Sequence, residues 1–306
     1  MGKKKLNPIQ ESLAPPDPKD LPKHRAISYL SPSSVLCMEK TPVEFFFRYL
    51  HGVKPDSQQT RPMAFGSFFD MEVKRLLALR QPNRFKVASY DWHKSVQQSY
   101  HRDMDMKRTC FALAKAYVEG PPGAHLKRAK GLPVIMEGTP AVVEIGGVPV
   151  YGKVDVQTSE PRILDFKVSG SNSSAYPVVG YVDGWFFDLN GSGGWERIGE
   201  HKMDKSIMDT HDDWAFQLVT YDMIRTKGAN LKKRSPVGID QVSFHPNGRI
   251  AFTHLREEIP CDYKKSVVAR YQAAWNRILR AEVLPKDLRK MPVDQLDLLR
   301  GQIRKW

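Results

Sequence analysis

An α/β fold, with a central β-sheet flanked by helices, is the class this sequence predicts. Three observations carry it. Apolar residues recur at helical spacing in four well-separated segments: Gly66 to Arg80, Lys94 to Glu119, Asp213 to Thr226 and Cys261 to Ala281. Between them lie short apolar runs bounded by Gly, Pro, Asn and Ser, the pattern of strands and turns. Residues 153–169 read as part of a β-hairpin that brings charged side chains to one face. With 306 residues and 41% hydrophobic content, the chain is long enough to bury a full core.

Taken in order, residues 1–26 combine Lys3-Lys4-Lys5 with five prolines and read as a flexible basic tail. Ser34 to His51 is helical, broken or kinked at Pro42. Lys54 to Pro62 is a polar loop. Gly66 to Arg80 is amphipathic, with Phe69, Val73, Leu76 and Leu77 in its stripe. The helix after Lys94 stops at Gly120-Pro121-Pro122-Gly123. Lys127, Arg128 and Lys130 then form either a phosphate-contact loop or a solvated basic loop.

Strands are expected near Val134–Glu137, Ala141–Ile145, Val148–Gln157 and Arg162–Val168. Residues 169–212 read as an inserted β-hairpin region, Val179–Leu189 and Trp195–Lys202 around Asn190–Gly194. Trp185 to Leu189 suits a strand of the central sheet, and Trp195 is a candidate wedge for unpaired bases. Val237–His245 and Arg249–Leu255 form another hairpin, and Cys261 to Ala281 an amphipathic helix with Val267, Val268, Tyr271, Ala274, Trp275 and Ile278 on or near one face. The expected organisation is one domain over 27–284, followed by a basic C-terminal helical tail over 285–306.

Lys and Arg total 47 against 34 Asp and Glu, a formal charge of +13. That excess favours an anionic partner, and nucleic acid is the commonest one. No apolar run approaches the roughly 20 residues of a membrane span, and the basic N-terminus lacks a signal peptide's apolar core. Cytoplasmic localisation is the expectation. The three cysteines, Cys37, Cys110 and Cys261, are widely spaced and suit isolated thiols in a reducing compartment. Histidines 51, 125, 245 and 254 show no catalytic spacing and read as structural or exposed.

The chemistry concentrates in the hairpin. Val148 to Gln157 goes up, Ser159-Glu160-Pro161 turns, and Ile163 to Val168 returns. Asp165 and Lys167, two apart, share a strand face, with Phe166 on the other; Asp155 can be brought beside them. Read alone, Asp-x-Lys also fits an exposed salt bridge worth under about 1 kcal/mol. Two carboxylates with an ammonium, however, suit metal-assisted phosphodiester cleavage. Hard divalent cations take oxygen ligands, lower the pKa of bound water and neutralise charge developing on phosphate. In that scheme Asp155 and Asp165 are ligands, the Phe166 carbonyl is a third, and Lys167 serves the attacking water.

Gly152-Lys153-Val154-Asp155, ten residues, then Asp165-Phe166-Lys167 resembles the PD-(D/E)xK nuclease superfamily. Three further segments resemble its RecB-like branch. Leu30-Ser31-Pro32-Ser33-Ser34, with Thr41-Pro42 and Phe45 to Leu50, is similar to the opening helix. Phe65-Gly66-Ser67-Phe68-Phe69-Asp70 looks like the next helix, and Gln217-Leu218-Val219-Thr220-Tyr221 matches Gln-x-x-x-Tyr. The resemblance implies a mixed sheet of restriction-endonuclease-like type. It also implies Mg²⁺ or Mn²⁺ as cofactor, and Gln217 and Tyr221 as residues organising the site. Two departures stand out. The family's helix-borne His is Asp70 here, with Glu72 as the rival about 200° around the axis; position favours Asp70. A Cys₄ iron–sulfur cluster, found in some relatives, is excluded within one chain by three cysteines.

The function these features imply is a divalent-metal-dependent DNA nuclease, an exonuclease acting on a duplex end or single strand in recombination, repair or phage DNA metabolism. A recombination or single-strand-binding protein is an implied partner. A nicking or structure-specific endonuclease, an RNA-directed nuclease and a non-catalytic recombination accessory are the alternatives.

Overall fold

The computed structural model describes residues 27–50, 59–80, 98–128, 142–152, 154, 156–157, 163–169, 181–188, 194–199, 201–202, 206–228, 230–244 and 249–279. The chain opens with α1 (Pro32–Lys40). Ser31 caps it through a box with Ser34, and Pro32 occupies the first turn, where its missing N–H costs nothing. Pro42 restarts the chain as α2 (Pro42–Phe45), which runs into a π-helical turn, Phe46–Leu50. The expected break at Pro42 is therefore present.

Helix α3 (Arg61–Arg80) begins five residues before the expected Gly66. Pro62 lies within its first turn, a position proline tolerates, so part of the expected loop is helix. A 3₁₀ turn, Gln98–Arg102, precedes α4 (Met104–Glu119), whose N-cap Asp103 accepts from the Met106 N–H. Gly120 ends α4, followed by a 3₁₀ turn at Pro121–Gly123 and the short α5 (Ala124–Arg128). The expected strand at Val134–Glu137, the tail over 1–26 and the tail over 285–306 lie outside the described residues.

The expected long strand Val148–Gln157 is divided. β1 (Val143–Ile145) and β2 (Val148–Val150) make a separate ribbon joined at Gly146 and Gly147, both with positive φ, as a two-residue hairpin turn requires. β3 (Val156–Gln157) alone enters the main sheet. Gly152 lies at the break: a Cβ there would meet the Tyr221 ring at 2.7 Å, so the backbone passes directly against that side chain.

Among the described residues the main sheet has seven strands: β3, β4 (Ile163–Ser169), β8 (Ser235–Phe244), β9 (Ile250–Ile259), β5 (Tyr181–Phe187) and β6 (Trp195–Arg197) in spatial order, with β7 (His201–Lys202) also on β5. β4 runs parallel to β8; the other pairs are antiparallel. The sheet is therefore mixed, as the resemblance implied. The parallel β4–β8 pair needs a crossover, and the chain between contains β5 to β7, α6 (Ile207–Thr210) and α7 (Asp212–Arg225). β5 sits inside the central sheet against β9, so the segment after β4 forms part of the sheet.

Alternation along the strands sorts side chains into two layers. Ile163, Val237, Ile239 and Leu255 pack with α1, α7 and α8 (Cys261–Leu279) through Val35, Phe216, Val219, Val267 and Tyr271. Leu164, Phe166, Val242 and Phe252 pack on the other face with Phe69, Val73, Leu113 and Tyr117 of α3 and α4. Helices thus cover both faces of the sheet, the three-layer arrangement that the alternating segments predicted. No described helix is long and apolar enough to cross a membrane.

Candidate active site and a second polar cluster

β4 carries Asp165 and Lys167 on the face covered by α7. The Asp165 carboxylate is 2% exposed and pairs with the Lys167 ammonium. Burying an ionised carboxylate is unfavourable without such a partner. α7 approaches this face with Gln217 and Tyr221 one turn apart. The Gln217 Oε1 accepts from Lys167 Nζ at 3.4 Å, while Gln217 Nε2 donates to the Tyr221 hydroxyl at 2.8 Å. The structure therefore joins Asp165, Lys167, Gln217 and Tyr221 in one chain of polar contacts.

Trp214, three residues before Gln217 on α7, adds a contact that sequence reasoning left unused. Its indole centroid lies 5.7 Å from Lys167 Nζ, within cation–π range, and its ring stacks on His211 at 4.2 Å. The signal was available: i, i+3 spacing to Gln217 places both on one side of the helix.

Phe166 points away from this chain of contacts. Its ring packs edge-on to Tyr117 at 5.7 Å and to Phe69 at 6.5 Å, in the opposite layer. This is the alternation expected, and any role for Phe166 at the site belongs to its backbone carbonyl. Asp70 forms an ion pair with Lys74 at 2.7 Å, and Glu72 pairs with Arg75 at 2.7 Å on α3. α3 meets β4 at Gly66, where a Cβ would lie 3.9 Å from that of Val168. Asp155 lies outside the described residues. Its neighbour in sequence, Val156, pairs with Leu164, the neighbour of Asp165.

Trp195 is not splayed into solvent. It packs on Phe187 and Phe252 and closes over Gly120, where a Cβ would meet its ring at 2.4 Å.

A second polar cluster occupies the other face of the sheet. Asp240 stands opposite Phe166 on one side and His254 on the other, so it shares the Phe166 layer. His254 Nδ1 lies 2.5 Å from Asp240 Oδ1, and His125 Nε2 lies 3.1 Å from Oδ2, to which the Tyr117 hydroxyl also donates. His125, Asp240 and His254 offer donor atoms within 4.8 Å of one another, a set able to hold a metal ion. Burial alone would raise the Asp240 pKa, yet Arg256 and the two imidazoles hold it well below the usual carboxylate range. Burial pushes the His254 pKa down, against the pull of Asp240. Burial, reinforced by Asp240, raises the Tyr117 phenol far above its ordinary value. Sequence reading set His125 and His254 aside as scattered. They meet only through the tertiary fold, and no local spacing marks them.

At the nuclease-like face, Asp165 supplies a buried carboxylate, the oxygen donor that hard divalent cations take. No curated protein and no solved structure matches the chain. The family model of the PD-(D/E)XK nuclease superfamily matches residues 29–181, half of the chain, from α1 to the start of β5. With its mixed sheet and the β4 carboxylate–lysine pair, the chain belongs to the PD-(D/E)XK nuclease superfamily of metal-dependent, nucleic-acid-cleaving enzymes.

Proposed function

We propose that this protein is a RecB-like DNA exonuclease without an iron–sulfur cluster, hydrolysing phosphodiester bonds from DNA ends with Mg²⁺ or Mn²⁺. The observation that carries the reading is the Lys167–Gln217–Tyr221 chain beside Asp165. It unites the strand motif with the Gln-x-x-x-Tyr helix that distinguishes this branch in sequence.

Asp155, Asp165 and the Phe166 carbonyl would hold the cation, with Asp70 as a further ligand or anchor. The cation would supply charge neutralisation on the phosphate and acidify bound water. The chain's own groups do the rest. Lys167 exchanges its Asp165 contact for the attacking water and the phosphate oxygens, and Gln217 keeps the ammonium aimed while it does so. Tyr221 fixes the Gln217 amide by occupying its N–H. Trp214 walls one side of the ammonium, and the buried setting of Asp165 strengthens each of these electrostatic contacts. The net charge of +13 suits a polyanionic substrate and implies steep salt dependence of binding. A recombination or single-strand-binding protein is the partner such an activity would serve.

End-labelled linear duplex and covalently closed circular DNA of the same sequence, incubated with Mg²⁺ or Mn²⁺, test the assignment. Degradation of the linear form alone is expected. Nicking of the closed circle would make the protein an endonuclease with the same residues, and preference for a matched RNA would overturn the DNA assignment.

A further inference from the structure

We propose that His125, Asp240 and His254 form a cation cradle whose resident cation is the Arg256 guanidinium. A borderline transition ion, Zn²⁺ or its probe Co²⁺, enters the cradle only when that guanidinium is removed. The donor set is the type such ions prefer, two imidazoles and a carboxylate. What decides the occupant is the position of one nitrogen. Arg256 Nη2 lies 2.7 Å from Asp240 Oδ1, 3.3 Å from His125 Nε2 and 3.4 Å from His254 Nδ1. It lies within 3.4 Å of an atom of each of the three residues a metal would use. Metal–ligand bonds of about 2 Å to all three require that space.

The guanidinium is also fastened from behind. Arg256 Nη1 donates to the Leu255 carbonyl at 2.7 Å and to the Ile239 carbonyl at 3.3 Å. A guanidinium cannot vacate by losing a proton, and its planar fork is fixed by these carbonyls. Its charge balances the Asp240 carboxylate. A divalent ion added beside it would be repelled at contact distance. The remaining carboxylate oxygen is taken by the Tyr117 hydroxyl and His125. The cradle thus joins α4, α5, β8 and β9 through the chain's own cation. It lies in the layer opposite Asp165, so the metal that serves cleavage and this cradle are separate questions.

The test is a Co²⁺ titration of the full chain in excess Mg²⁺, read by the intense visible absorption of tetrahedral, nitrogen-ligated Co²⁺. The parent is expected to show no band that depends on His254. Arg256→Ala and Arg256→Met are expected to gain such a band and one additional bound equivalent, both lost on adding His254→Gln. An Arg256 variant that is unfolded in EDTA is expected to regain its melting transition with Zn²⁺. A His254-dependent band in the parent would show that a metal is the native occupant. Failure of both Arg256 variants to bind or be restored by the ion would show that the cradle is not a metal-competent site. Either result overturns the proposal.

Discussion

Gln217 links Lys167 to Tyr221, and cutting that link has a calculable effect. Gln217→Met keeps the length and volume of the side chain and removes both polar contacts. The contact to the ammonium is a long one, 3.4 Å, so its worth belongs at the low end for a charged group, about 1.5 kcal/mol. If Gln217 acts by aiming Lys167 in the transition state, that loss slows cleavage roughly tenfold. Tyr221→Phe removes only the neutral 2.8 Å bond that fixes the amide. About 1 kcal/mol, or roughly fivefold, is expected there. Because Tyr221 acts on Lys167 through Gln217, the double variant should be no slower than Gln217→Met. Single-turnover cleavage of an end-labelled duplex at saturating Mg²⁺ measures all three, with DNA affinity checked separately. Multiplying single effects in the double variant, or unchanged cleavage in Gln217→Met, would refute this relay.

Three further predictions concern the scaffold. Lys264 and Asp222 form an ion pair at 3.6 Å with side chains 1% and 0% exposed, so Lys264→Met should destabilise by about 3–5 kcal/mol in urea melts. The double change Lys264→Met with Asp222→Asn should recover most of that loss, and a double variant no more stable than the single would contradict it. Gly152→Ala puts a Cβ 2.7 Å from the Tyr221 ring and should cost about 1–3 kcal/mol while slowing cleavage toward the Tyr221→Phe level; parental melting and turnover would count against that close approach. His254 has a lowered folded pKa, so it stabilises fully above its unfolded value near 6.5, and that contribution fades as pH falls below it. The reason is local: Nδ1 faces Asp240, and a proton added at the buried Nε2 would find no acceptor among the described residues. Melting temperatures between pH 7 and 5 should therefore fall more steeply in the parent than in His254→Gln, and equal slopes would argue against the assignment.

Local periodicity made much of this site legible. The two-residue strand period put Asp165 and Lys167 on one face and Phe166 on the other, and the structure keeps that division. The i, i+4 relation of Gln217 and Tyr221 likewise survives as a direct hydrogen bond. Helices α7 and α8 fall close to where their apolar stripes placed them, because each stripe has a sheet face to cover. By contrast, α4 ends at the expected Glu119 but begins at Met104, with a 3₁₀ turn at Gln98–Arg102 inside the span expected to be helical. What periodicity could not supply was anything decided by distant partners. The division of Val148–Gln157 depends on Gly152 meeting a ring on α7. The parallel pairing of β4 with β8 depends on a crossover that no local pattern announces. Arg256 and His125 are 131 residues apart, and Tyr117 and Asp240 are 123 apart, so the cradle is invisible until the sheet forms. Trp195 looked like a base wedge beside a glycine loop, but Gly120 offers it a flat seat that only the folded chain contains.

The assignment of cleavage to the Asp165–Lys167 pair is tested most directly by Lys167→Ala, compared with the parent in single-turnover digestion of a linear duplex across a Mg²⁺ titration. Both proteins should bind the duplex with similar affinity. The parent should cleave it in a metal-dependent reaction, and Lys167→Ala should be slower by about three orders of magnitude or more, as for loss of a residue that acts in the transition state. Parental rates in Lys167→Ala, or cleavage indifferent to metal in the parent, would contradict the account at its centre.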